Sequence, residues 1–409
     1  MKHRYFFSDT FPFAAAFILV SFLCVFSDNS FAQDWKTIHD GVEYAHVDHK
    51  IGSDPVKINL LRLDLKKVRL DVHHAFDRAV GVETTSAIAA RHNAVAAINA
   101  GFFRLDKSEF AGDAAGLLMI DGRLISESVN DRVSVGIGNY RKRTEIFFGH
   151  FTSQAFLSFS NADEYIQIDG FNRERKPGEV VIYGNDFGGA KRAVVATSEF
   201  VLSKCKQTKD YELRTVSCRS YRLTKDARNN AIPPRGFIVS LSVEATDQLE
   251  KIMKASRAAG QRVNLRFRLK EQSGAGIDIL LSGSETDITN GVPQLIKDSR
   301  IDVTWEKEKA SKSFAEMRHP RTAVAKLKDG KFLMITVDGR QPGVSVGMNL
   351  QELAEYILSL GATDAMNLDG GGSTTMYVDG KVLNTPSDKE GERKVSDAIL
   401  VTLRKNKRR

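Results

Sequence analysis

The sequence predicts an α+β or α/β chain: a mixed β-sheet core with helical crossovers and a parallel strand–helix–strand unit near the C-terminus. Three observations carry this. Residues 331–337 are almost wholly apolar, as in a strand buried on both faces. Leu350, Leu353, Ala354, Ile357 and Leu358 recur at helical spacing and form one apolar face. Residues 364–368 then resume as a short strand. Two strands joined by a helix imply a parallel pair with a crossover connection.

The earlier elements follow from the same periodicities. In residues 56–72, Leu61, Leu63 and Leu65 face one way and Arg62 and Asp64 the other. After Lys66-Lys67 the alternation resumes at Val68, Leu70 and Val72, so two half-buried strands are expected. Thr84 or Thr85 opens a short helix through Arg91, and Ala94–Ile98 reads as a small buried strand. Asp121-Gly122, Asp329-Gly330 and Asp379-Gly380 each sit between apolar runs and predict hairpin turns. Thr246 is placed to cap a helix bearing Leu249, Ile252 and Met253. Val263, Leu265, Phe267 and Leu269 alternate with Asn264, Arg266 and Arg268, a strand with one wet, basic face. Asn349 with Glu352 three residues on is a capping box, and Gly361 ends that helix.

The chain has 409 residues, 42% hydrophobic and 27% charged, enough for a large core in one big domain or two. Residues 1–32 are set apart as a signal peptide: Lys2 and Arg4, an apolar run from Phe11 to Phe26, and Ser30-Phe31-Ala32 as the cleavage site. The apolar run is short for a membrane span and is broken by Pro12 and Ser21. No stable membrane span is therefore expected after cleavage, and the mature chain is expected to be exported, periplasmic or extracellular. Cys24 leaves with the leader, so Cys205 and Cys218 remain as an even pair and predict one local disulfide. The net charge is +8, with a basic tail at 404–409. That charge suits an anionic envelope polymer. Nothing in the sequence has the form of a nucleic-acid recognition motif, and none is expected as a partner.

The chemistry concentrates in Met366–Gly380. Gly370, Gly371 and Gly372 strip the side chains from one turn, Asp369 stands at its rim, and Ser373, Thr374 and Thr375 add short donors. Such a turn lets a ligand approach the main chain and can cradle an anion. A parallel pair would place Asp338, in Asp338-Gly339-Arg340, and Asp369 at strand ends on one side, where α/β sheets bind ligands. Asn99 and Phe102, in Asn99-Ala100-Gly101-Phe102-Phe103, have the form of a sugar platform: a hydroxyl-reading amide beside an aromatic face.

Several segments together resemble the phosphodiester glycosidase family. They are NAGFF at 99–103, NGVPQL at 290–295, RTAVA at 321–325, TVDGR at 336–340, NLDGGGSTTM at 367–376 and the closing run 384–401. The resemblance covers residues 95–403, with a peripheral insertion around 130–230 and a β-rich segment at 33–94 packed on that domain. That family includes the N-acetylglucosamine-1-phosphodiester alpha-N-acetylglucosaminidases and bacterial exported proteins related to exopolysaccharide biosynthesis. The resemblance implies hydrolysis of an α-glycosyl phosphodiester. The alternative is a non-catalytic protein that binds or exports a phosphate-bearing glycan.

On this reading Asp369 and Asp338 are the catalytic pair, as two carboxylates commonly serve an anomeric centre. Arg321, Arg340 and Arg393 are phosphate forks. Asn99, Phe102, Asn367, Gly370, Gly371, Gly372, Ser373 and Thr374 complete the substrate site. For some residues two readings stand. His319 is a proton donor or a loop histidine before Pro320. Asp338 is catalytic or a strand-end turn residue. Arg393 is a phosphate clamp or part of a solvated loop. Arg321 binds phosphate or pairs with one of the aspartates. No cofactor is firmly implied. The two aspartates could share a divalent cation with the substrate phosphate, and no His/Cys cluster suggests zinc.

Overall fold

Hairpins dominate the architecture. The computed structural model describes residues 33–188, 197–209, 214–227, 230–258, 260–272 and 286–404. The signal-peptide reading at 1–32 lies outside them, as does the basic tail beyond Arg404. From Gln33 onward the chain forms one compact unit. Among the described residues no helix is long and apolar enough to cross a membrane.

The central sheet has eight strands. Their order is Lys36–His39, Val42–Ile51, Asp54–Leu63, Phe332–Val337, Arg321–Leu327, Ala362–Asn367, Gln294–Lys297 and Arg300–Ile301. Every ladder in it is antiparallel. One face packs on the helix Leu350–Ser359, where Leu353 and Ile357 are fully buried against Ile58, Leu60 and Ile335. Truncating either helix residue to Ala is worth about 2–5 kcal/mol. The other face meets a five-stranded antiparallel sheet of Lys381–Val382, Met376–Val378, Ala96–Asn99, Asp397–Leu403 and Val68–His74. Leu61, Leu63, Leu70, Ile98, Val324, Met366 and Ile399 fill the layer between them.

Residues 118–290 supply a third, twelve-stranded sheet. Its last strand, Gly170–Phe171, returns beside its first pair. Asn172 Nδ2 donates to Ile125 O at 2.9 Å, and Phe171 N–H donates to the Glu127 carboxylate at 3.0 Å. The sheet is therefore nearly closed and barrel-like. Cys205 and Cys218 face each other across the hairpin of Thr197–Lys209 and Arg214–Ala227 and are disulfide-bonded.

The α/β expectation is overturned. Strands far outnumber helices, and the parallel strand–helix–strand unit does not form. The helix does cross over from Phe332–Val337 to Ala362–Asn367. However, the Asp329-Gly330 hairpin has already laid Arg321–Leu327 beside the first strand. The returning strand adds to the far side of that hairpin, antiparallel to it. Both flanking strands therefore run the same way without touching. The helix at 243–255 also starts earlier than expected: Ser242 caps it by accepting from Ala245 N–H, and Thr246 Oγ1 instead donates to Ser242 O. Thr84, and Asn349 with Glu352, cap as expected.

Candidate functional site

The hairpin insertion leaves one geometric consequence intact. Arg321 pairs with Val337 on one side, and Ala323 pairs with Asn367 on the other. Asp338 and Asp369 thus leave the sheet at one edge, two strand spacings apart, or about 10 Å between backbones. Arg321 starts the strand between them.

Asp369 is fixed through its backbone. Its N–H donates to Ala100 O at 2.9 Å, and its carbonyl accepts from Asn99 Nδ2 at 2.7 Å. Burial raises its carboxyl to about 6, opposed by the Ser373 hydroxyl and the Arg393 charge and reinforced by the Asp397 charge. Its Asn99 partner also accepts through Oδ1 from Thr322 Oγ1 at 2.8 Å and from Thr375 N–H at 3.0 Å. Asn99 is fully buried and joins three segments beneath Asp369.

Asp338 is buried, and burial raises its pKa. Its carboxylate accepts from Thr385 N–H at 3.1 Å and from Asn384 Nδ2 at 3.3 Å. Asn384 in turn donates to Thr374 O at 2.9 Å and accepts from Met376 N–H at 2.7 Å. Asp338 therefore anchors the segment that closes behind the glycine turn. The carboxylate whose charge acts on Asp369 is Asp397, which sequence reasoning did not single out. Asp397 is buried and accepts from Gly101 N–H at 2.9 Å, Ser396 Oγ at 2.9 Å and Thr289 Oγ1 at 2.7 Å.

The three glycines are crowded, each by a different neighbour. A Cβ on Gly370 would stand 2.8 Å from Pro320 O, and one on Gly371 would stand 3.1 Å from Arg340 Nη2. On Gly372 it would meet Arg393 Nη2 at 2.2 Å and Asp388 Oδ1 at 2.3 Å. Gly371 also has φ +63°, in the left-handed region. The Gly371 N–H is already bonded to Pro320 O at 2.9 Å, and the Gly370 N–H serves the Asp369 carboxyl. The turn's contribution is close approach by guanidinium groups more than a row of free amides.

The arginines divide into three roles. Arg393 is held by Asp388, with Nε and Nη2 at 2.7 and 3.0 Å from its two oxygens. Arg321 is 1% exposed and, among the described residues, has no carboxylate partner. Its Nε donates to Met348 O at 2.8 Å, and its Nη2 donates to Phe314 O and Met317 O at 2.7 and 2.9 Å. Burial, then the Arg340 charge, pulls its pKa down to about 9. Arg340 is exposed and, among the described residues, has no hydrogen-bond or ion-pair partner. Half-buried His319 lies near both, and burial and the Arg321 and Arg340 charges hold it neutral to lower pH than a free imidazole.

Phe102 belongs to a cation–aromatic column. Arg132 stands 5.7 Å over its ring, Phe314 meets it edge-on at 6.0 Å, and Arg321 stands 4.9 Å over Phe314. Asn367 Nδ2 donates to Val292 O and Leu368 O at 2.7 Å each. Its Oδ1, the Thr374 and Thr375 hydroxyls and both amide atoms of Asn290 are buried without partners. Each such atom costs about 1–3 kcal/mol unless water or a ligand satisfies it. Asn290 and Asp397 converge on Gly101, where a Cβ would stand 2.9 Å from Asn290 Nδ2 and 3.2 Å from Asp397 Oδ2. Both were missed. Asp397 begins a buried strand, where the signal was an acid against the apolar run Ala398–Val401, whereas Asn290 ends the mostly polar strand Thr286–Asn290 and carried no such contrast.

Known proteins point the same way. The phosphodiester glycosidase family model matches residues 220–402. The mouse N-acetylglucosamine-1-phosphodiester alpha-N-acetylglucosaminidase is 34% identical over 110 residues, 27% of this chain and 21% of that protein. The chain spans about a fifth of the length of the curated relatives it matches. A hypothetical protein from Synechocystis shares the fold with TM-score 0.69 and 18% identity, over 90% of this chain and 63% of that one. A candidate exported protein from Burkholderia pseudomallei K96243 shares it with TM-score 0.68 and 23% identity, over 85% of this chain and 74% of that one.

Proposed function

Because residues 220–402 match the phosphodiester glycosidase family model, we propose that the chain is an exported hydrolase of sugar-1-phosphodiesters. Its substrate on this reading is an α-linked, N-acetylglucosamine-like sugar on a phosphate-bearing envelope glycan. One observation carries the proposal: the partnerless guanidinium of Arg340 lies over Gly371, two residues from Asp369. A free fork beside a bare turn suits a phosphate oxygen pair. Arg321, cationic and with no carboxylate partner among the described residues, adds positive potential behind it.

The chemistry then needs little acid assistance, because a phosphate monoester is a good leaving group. Water attacks the anomeric carbon and gives its proton to Asp369, whose raised pKa of about 6 suits a base near neutral pH. The bond from anomeric carbon to phosphate oxygen breaks, and its electron pair stays on the phosphate that Arg340 holds. Burial keeps the Asp369 pKa up, helped by the Asp397 charge, and Asn99 and Ala100 hold its backbone. The unpartnered Asn367 Oδ1 and Thr374 hydroxyl face the sugar or ordered water. Export is proposed from the leader-like pattern of residues 1–32, and attraction to a polyanionic glycan from the net charge of +8.

The test is hydrolysis of a panel of N-acetylglucosamine-1-phosphodiesters in oxygen-18 water. Label in the released sugar is the expected result. Label in the phosphate would move the attack to phosphorus. Binding without turnover across the panel would replace the enzyme reading with a phosphoglycan-binding protein.

A further inference from the structure

His73 is the penultimate residue of the strand Val68–His74, Asp77 lies on the 3-10 turn that follows, and His92 caps the helix Thr85–Arg91. In sequence they are scattered, and no metal spacing is visible. In space one ligand atom from each of His73, Asp77 and His92 lies within 4.8 Å of the other two. Asp77 Oδ1 is 2.9 Å from His92 Nε2 and 3.7 Å from His73 Nδ1. Ligand atoms about 2.0–2.2 Å from a shared tetrahedral ion stand about 3.3–3.6 Å apart, so these edges bracket that geometry.

Three further features single the trio out. Phe76 and Asp77 are consecutive non-glycine residues with φ of 56° and 53°, and this backbone turns Asp77 back onto the imidazoles. The rings of His73 and His92 stack at 3.6 Å, which disfavours protonating both. The trio also borders a concavity of about 180 Å³ that includes Asp121 and Asp186, leaving room for water or a further carboxylate ligand.

Arg91 is the counter-cation already present. Its Nη1 contacts Asp77 Oδ2 and stands 2.9 Å from His92 Nε2, and its Nη2 donates to Glu83 at 2.7 Å. His92 Nε2 cannot both donate to Asp77 and accept from Arg91. A divalent cation placed between Asp77 Oδ1 and His92 Nε2 would take both lone pairs at once. If Arg91 keeps its bond to Asp77 Oδ2, it becomes the outer partner that orients a ligating carboxylate.

We propose that His73, Asp77 and His92 form a divalent transition-metal site of the two-histidine, one-carboxylate type, with zinc as its natural class of occupant. The site ties the strand Val68–His74 to the helix Thr85–Arg91. It neighbours the candidate active site, because His74 pairs in register with Asp397. It stands independently of the glycosidase reading.

The test uses the full chain, stripped with a chelator and titrated with Co²⁺ alone. One saturable equivalent with the visible ligand-field bands of low-coordinate Co²⁺ is expected, displaced by Zn²⁺. His92→Gln should weaken Co²⁺ binding at least about tenfold while circular dichroism stays native. Asp77→Asn asks the same question if a histidine variant fails to fold. A chain that shows no saturable Co²⁺ spectrum overturns the proposal, and so does one whose affinity survives both variants. If the trio only shares a proton, stability responds to pH and Co²⁺ leaves no spectrum, which also overturns it.

Discussion

Gly371 lies directly beneath the guanidinium of Arg340, 3.1 Å from Nη2 to the point where a Cβ would be. The relationship is two-sided. The glycine allows the fork to approach the main chain, and its φ of +63° turns the chain at that point. Gly371→Ala adds both strain and a collision. It should cost about 1–3 kcal/mol of stability and push Arg340 off the turn. Unfolding curves and the KM for a glycosyl phosphodiester check this, with a raised KM as the expected companion of the lower midpoint.

Arg340 itself separates binding from folding, because its fork has no protein partner among the described residues. Arg340→Gln should leave stability within about 0.5 kcal/mol. Loss of a charge-assisted contact to phosphate, about 1.5–3 kcal/mol, should lower kcat/KM about 10- to 100-fold. Wild-type kcat/KM in that variant would remove Arg340 from the phosphate side.

Asp369 carries a signed pH effect. Its carboxyl sits near 6 in the fold against an ordinary 3.8, so the folded chain holds a proton that the unfolded chain releases earlier. Its contribution is therefore fully present below about pH 3.8, falls as pH rises from there, and is lost above about 6. The full two-unit difference is worth up to about 3 kcal/mol. Asp369→Asn should be more stable than wild type at pH 8, with no gain at pH 4. Its turnover should fall about 10²- to 10⁴-fold. Urea unfolding at the two pH values, with rates beside them, decides both.

Local chemistry in this chain was legible, and long-range pairing was not. The Asp121-Gly122 and Asp379-Gly380 turns, the capping box at Asn349 and the alternation from Val56 to Val72 depend only on near neighbours. The central sheet depends on Asp54–Leu63 joining Phe332–Val337, and no local period encodes that partnership. The parallel-pair error arose there: helix and strands were read correctly, but the hairpin strand between them was not inserted. The site shows the same division. The glycine turn and Asp369 stand out as a motif. Asp397 and Asn290 become visible only when two distant strands bring them onto Gly101. Arg321 was legible as a residue but not by its partners, which are three backbone carbonyls.

Arg321→Lys tests that last arrangement. A lysine ammonium cannot span Met348 O, Phe314 O and Met317 O as the planar fork does. Losing one or two charge-assisted bonds in a buried place should cost about 2–4 kcal/mol. Because Arg321 also stands over Phe314, the Phe102–Phe314 edge contact should loosen with it. Thermal unfolding reads the first effect and phosphodiester turnover the second.

The disulfide belongs to the twelve-stranded sheet, not to the strand-end site. Cys205 and Cys218 are register partners 13 residues apart, so the bond closes a short hairpin. Constraining a loop of about that length is worth roughly 3 kcal/mol in the chain-entropy account. The doubly substituted Cys205→Ser, Cys218→Ser chain should therefore unfold earlier by about 2–3 kcal/mol and should keep its phosphodiester turnover. Neither cysteine touches the glycine turn, Asp369 or the three arginines among the contacts described. A fall in kcat at temperatures where the variant remains folded would mean that the hairpin shapes the site.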